Sequence, residues 1–178
     1  MAKRQSLKEL QERLAQRLTA AKTEALTATW LAIEAGGRRY LLPLVQSGEI
    51  FPWSAVQVVP YTKPWYVGVA NLRGGLHGVI DLAGLVQGAV RGAGRATERI
   101  TSESRLVSLH GALGLNAVFW IDRLMGLRNP SAFSALGERP ADAPGYVTRV
   151  LVDAQGQDWQ ELDLQLLVSE PEFLAIAA

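Results

Sequence analysis

The chain contains no cysteine. Disulfides, thiolate metal sites and a cysteine nucleophile are excluded, and a reducing compartment is permitted. Histidine is almost as scarce: the two present, His77 and His110, lie 33 residues apart. Neither stands in a metal-gripping spacing such as HxxxH. There is no GxSxG nucleophile turn and no GxxxxGK[ST] phosphate loop. No apolar run reaches bilayer-spanning length, and no signal peptide opens the sequence. The net charge is only +1, so the whole molecule has no electrostatic pull toward a polyanion. The expectation is a soluble cytoplasmic protein that holds no metal or cofactor, binds no nucleic acid and does not insert into a membrane.

What is present is an ordinary globular composition, 48% apolar and 20% charged over 178 residues. That length suits one domain, or two small subdomains sharing a core. The charge is unevenly placed. Residues 1–26 carry six basic and three acidic side chains, whereas residues 153–178 carry six acidic and none basic. Such asymmetry marks either separate contact surfaces or ordinary solvated ends.

Three segments follow from the pattern: an N-terminal helical extension (1–27), a β body (28–168) and a C-terminal tail (169–178) expected to fray. In the first, Leu7, Leu10, Leu14, Leu18, Ala21 and Ala25 recur at spacings of three and four, one stripe of a helix. Ser6 followed by Glu9 fits a capping box. Packing against the chain's own domain is the first reading of the stripe, ahead of a partner helix. From Trp30 the pattern becomes strand-like. WLAIEA and RRYLLPLV flank Gly36 and Gly37, a hairpin signal. Residues 88–103, rich in glycine, alanine and arginine, read as a solvated loop containing Arg91, Arg95 and Arg99.

The chain is organised around WYVGVANLRGGLHGVIDLAGLV, residues 65–86. Two strands surround a turn at Arg73, Gly74 and Gly75, with Arg73 at the wet rim. The pattern recurs. Residues 31–43 resemble 106–118 at an offset of 75. Tyr66 and Val67 correspond to Tyr146 and Val147 at 80, and Gly74 and Asp81 to Gly156 and Asp163 at 82. Each repeat has about five short strands, enough to curl into a small barrel. The expected fold is all-β: two small five-stranded barrels packed together, preceded by an amphipathic helix.

The search for chemistry is thin. Asp81 and Asp163 are equivalent by duplication, which does not bring them together as a catalytic pair. Each is expected to accept backbone hydrogens where its strand ends, as a helix cap does. Arg73 has the better functional claim, because a guanidinium fork suits carboxylates or carbonyls on a protein partner. Trp65 serves contact and core readings equally.

The stretch from Gly68 to Leu82, with Asn71, Arg73, Gly74, Val79, Ile80 and Asp81, resembles the CheW family of chemotaxis adaptors. The likeness runs from about Thr29 to Val168. It implies two five-stranded barrels around a common core, no enzymatic activity, and a role joining the cytoplasmic tip of a methyl-accepting chemoreceptor to a CheA-type histidine kinase in membrane-associated arrays. By that resemblance Asn71, Arg73 and Gly74, with His77 beside them, form the protein-interaction surface. Gly36, Gly37, Gly68, Gly75, Asp81, Gly156 and Asp163 shape turns and caps. The chain departs from the family at Gly78, where proline is usual, and at Thr148, opposite Gly68. These departures and the leucine-striped helix are more similar to the PilI-type adaptors of type IV pilus systems governing twitching motility. The competing readings are a ligand-binding double barrel or enzyme accessory subunit, and a small hydrolase using His77 or the aspartates.

Overall fold

The computed structural model describes residues 2–27, 29–88 and 96–177, with side chains described for 7–20, 29–88 and 98–177. The described residues form eleven strands: β1 (Trp30–Ala35), β2 (Arg38–Pro43), β3 (Ser47–Pro52), β4 (Tyr66–Leu72), β5 (Gly75–Asp81), β6 (Arg105–Leu109), β7 (Ala117–Ile121), β8 (Arg123–Arg128), β9 (Phe133–Gly137), β10 (Val147–Asp153) and β11 (Asp158–Leu162). Helix α1 (Ala2–Thr27) precedes them, α2 (Leu82–Gln87) follows β5, and α3 (Leu164–Ser169) and α4 (Pro171–Leu174) close the chain.

The strands make two sheets, ordered β8-β1-β2-β11-β10-β9 and β3-β6-β7-β5-β4. The architecture is mostly β in two units, as expected, but neither sheet closes into a barrel and one has six strands. Each retains two edges.

Duplication is visible in the pairing. In each sheet an antiparallel hairpin (β1-β2 or β6-β7) lies parallel to the last strand of another (β11 or β5). The hairpins are exchanged between repeats: β1-β2 pairs with the late strands, β6-β7 with β4-β5. Two interlocked sheets follow, so neither repeat completes a sheet alone.

The pairing also corrects the repeat offsets. Leu31 faces Leu42 across its hairpin as Val107 faces Phe119, so Leu31 corresponds to Val107, not Leu106. Leu31 and Val107 both enter the shared core, while Leu106 points to the opposite face. A one-residue slip inverts every side chain of a strand. Likewise Asp81 N–H donates to the Trp65 carbonyl as Asp163 N–H does to that of Tyr146. Trp65, not Tyr66, is therefore the counterpart of Tyr146, and Gly68 aligns with Arg149 rather than Thr148.

The shared core draws Leu31, Ile33, Tyr40 and Leu42 from one sheet and Ile80, Val107, Phe119 and Ile121 from the other. Complete burial of each such aliphatic or aromatic side chain stabilises by about 1.5–3 kcal/mol. A smaller cluster lies on the other face of each sheet, around Trp120 in one and around Trp30 and Trp159 in the other.

Two terminal expectations change. The stripe of α1 does not pack on the β body, because Leu7, Leu10, Leu14 and Leu18 are all more than half exposed. The side chains of Ser6, Ala21 and Ala25 lie outside the described residues. The C-terminal segment does not fray. Phe173 is buried and stacks on Trp65 at 5.7 Å, and Thr62 bridges Ala177.

Candidate protein-docking site

The β4-β5 hairpin closes with Leu72 opposite Gly75, leaving Arg73 and Gly74 as its two-residue turn. Both have positive φ, +50° and +78°. Such a turn follows the right-handed twist of its strands. The turn is thus one residue shorter than the Arg73–Gly75 span read from the sequence, and Gly75 opens β5. Arg73 occupies a left-handed conformation that costs an L-residue roughly 1–2 kcal/mol. Its guanidinium stays exposed, pairs with Glu49 of β3 at 2.6 Å and lies 5.9 Å from the Phe51 ring centre.

Asn71 is exposed on β4 opposite Leu76. His77 is half-buried beside Phe51, and its Nδ1 lies 3.0 Å from the Gly75 carbonyl, where only a protonated Nδ1 can donate. Gly74 has nothing near its missing Cβ. A groove of about 500 Å³ opens beside the turn, walled by Glu49, Phe51, Arg73, His77, Leu109 and Asn116. Its polar atoms come from scattered elements, and among the described residues no group of three His, Cys, Asp or Glu is placed to hold a metal. Arg73 and His77 thus share one groove, Gly74 lies in the turn beside them, and Asn71, paired with Leu76, is on the opposite face of the hairpin from His77, which is paired with Ala70.

The two duplicated aspartates have diverged. Asp163 accepts from Gln165 N at 2.9 Å and Leu166 N at 3.2 Å at the start of α3. Asp81 makes no such cap on α2. Its Oδ2 accepts instead from Arg99 at 2.9 Å, and its Oδ1 is buried without a partner. Arg99 also donates to Asp122 at 3.0 Å and lies 4.5 Å over the Trp120 ring. Asp122 accepts from Gly36 N at 2.7 Å. Burial works against the charged Arg99, but Asp81 and Asp122 outweigh it and raise its pKa. This clasp ties the β1-β2 turn, the end of β5 and the β7-β8 junction together. Arg99, expected to be solvated, is its centre. His110 accepts from Ala112 N and caps a short turn.

Another polar cluster crosses the six-stranded sheet. Glu161 accepts from Trp30 Nε1 at 2.8 Å, from Thr148 at 2.8 Å and from Arg149 at 2.9 Å. Burial pushes the Glu161 carboxyl up, but hydrogen bonds from Arg149 and Thr148, the Arg149 charge and the Trp30 bond outweigh it, leaving the group below its usual range. A depressed folded pKa contributes stability above the unfolded value of about 4.3 that disappears as pH falls through the folded one. The urea midpoints of wild type and Glu161→Gln should therefore differ at neutral pH and converge as pH drops below about 4. A gap that persists unchanged as the pH is taken well below about 4 would contradict this.

The CheW-like domain family matches residues 29–172. Protein PilI of Pseudomonas aeruginosa is 32% identical over 74 residues, a stretch that is 42% of this chain and 42% of that protein. The crystal structure of the scaffolding protein TtCheW from Thermoanaerobacter tengcongensis is similar in fold, with a TM-score of 0.62 over 82% of this chain and 95% of that one at 17% identity. The chain belongs to the CheW-like domain family.

Proposed function

We propose that the chain is a non-enzymatic adaptor that couples a methyl-accepting chemoreceptor to a CheA-type histidine kinase, in a pathway controlling type IV pilus twitching motility. Its place is the cytoplasmic side of receptor arrays. Membership of a family of scaffolding adaptors supports the class, and the partial likeness to PilI supports the pathway. The observation that carries the site is Arg73, a cation held in a strained turn, exposed at a rigid hairpin rim between a carboxylate and an aromatic ring. Asn71, Gly74 and His77 complete the receptor-facing surface. Gly68 and the clasped Asp81 keep its shape.

Arg73→Ala and Arg73→Gly test the assignment without unfolding the protein. The ion pair to Glu49 is exposed on both sides, and such pairs are worth about 0–1 kcal/mol. Glycine also relieves the left-handed strain, so Arg73→Gly should be at least as stable as wild type. Both variants should bind kinase but lose receptor-dependent control of autophosphorylation. Normal control by both would remove Arg73 from the coupling surface.

A further inference from the structure

Helix α1 ends at Thr27, and β1 begins at Trp30. Thr29 between them is pinned: its N–H donates to the Arg128 carbonyl and its carbonyl accepts from Leu44 N, both at 2.9 Å. The body side of the connection is therefore fixed at Thr29. At about 1.5 Å per residue, Leu18 stands roughly 14 Å and Leu7 roughly 30 Å from its C-terminal end. Those leucines and the two between them are exposed, Leu18 by 66%.

The surroundings of the stripe restrict what covers it. At 3.6 residues per turn, Arg13 and Arg17 run along one flank and Lys8 along the other, while Glu9 and Glu12 lie on the far side. Pairing the stripe with a copy of itself brings cations together along the seam. The complementary surface is apolar and bordered by carboxylates.

The same chain carries such a surface at its other end. Leu174, Tyr61 and Val58 are exposed by 58%, 89% and 73%, beside the acidic Glu170 and Glu172. Lys63 N–H donates to the Ile176 carbonyl and Thr62 bridges Ala177, which sets Thr62 and Lys63 against the C-terminal segment, and Thr62 Oγ1 donates to the Val59 carbonyl, which closes the turn that carries Tyr61 beside them. The nearby cation Lys63 is turned onto the Glu172 carbonyl at 3.1 Å. Tyr61 has φ +59°, so its exposed ring is held there at a backbone cost.

We infer that α1 of one copy docks its leucine stripe on the Val58–Tyr61–Leu174 patch of a second copy. The contact is heterologous, so it either closes by reciprocal exchange of helices or runs on as a chain. Leu7, Leu10, Leu14 and Leu18 on the one surface and Val58, Tyr61 and Leu174 on the other are all more than half exposed in the single chain.

Light scattering and sedimentation of the full chain test this across micromolar concentrations, with circular dichroism to show that variants remain folded. Wild type should gain mass with concentration. Leu10→Glu with Leu14→Glu, and separately Tyr61→Gly with Leu174→Glu, should each weaken association at least tenfold. Mixing the two variants should restore a species that stops at the dimer, because the pair retains one helix and one patch. A wild type that remains monomeric, whether its helix is free or folded in cis, overturns the inference. So does a patch variant that still associates, which would mean like helices pairing, or a mixture that stays monomeric.

Discussion

Replacing Arg99 with methionine should lower stability by about 2–4 kcal/mol. Removing one partner of a buried ion pair typically costs about 3–5 kcal/mol, because the remaining charge is stranded. Here the cost is lowered by partial exposure: the side chains of Arg99, Asp81 and Asp122 are 26%, 12% and 23% exposed. It is raised by two features. Asp81 already has one unpartnered buried oxygen, and Arg99 also lies over Trp120. Methionine keeps much of the packing stem, so the loss reports the charge. Adding Asp81→Asn and Asp122→Asn to Arg99→Met should recover part of it in urea unfolding, because no carboxylate is then stranded. A single-variant loss below about 0.5 kcal/mol would show the clasp to be an ordinary surface contact.

Gly68→Ala should destabilise by about 3 kcal/mol or more. Gly68 has φ +151°, a conformation L-residues rarely adopt, and strain of this kind costs about 1–3 kcal/mol. A Cβ there would also land on the Gln57 carbonyl, 2.8 Å from its carbon and 2.9 Å from Val56 Cγ1. Gln57 and Val69 exchange both backbone hydrogen bonds at 2.8 and 2.9 Å, so the obstruction is fixed backbone. Overpacking adds about 1–3 kcal/mol. Gly74→Ala is the control: its φ is also positive, but a Cβ there meets nothing within 4 Å. It should cost only about 1 kcal/mol. Equal losses at the two positions would rule out the close approach as the cause.

The sequence made the hairpins legible because their turns carry the chemistry that tight turns require. It showed the duplication through matching glycines and aspartates, and the leucine stripe through its period. It did not show the exchange of hairpins, since alternation marks a strand's faces but not its neighbour. The offsets were off by a residue because a match of residue types leaves the register free by one; the bulges of β4-β5 and β10-β11 sit at equivalent positions and cancel, and only pairing fixes the alignment. The turn was read as Arg73 to Gly75 rather than Arg73–Gly74 because glycine, not arginine, signals positive φ. Arg99 was missed because its acidic partners lie 18 and 23 residues away, and a glycine-rich context favours solvent. Barrel closure failed as an expectation because strand number alone does not bring sheet edges together.

The adaptor reading is tested most directly by reconstitution. Purified kinase would be mixed with receptor-bearing membranes, with and without this protein, and kinase autophosphorylation followed as receptor ligand is added. The account predicts that the kinase sediments with the membranes and answers the ligand only when this protein is present. A kinase whose location and activity are the same with and without it would contradict the account.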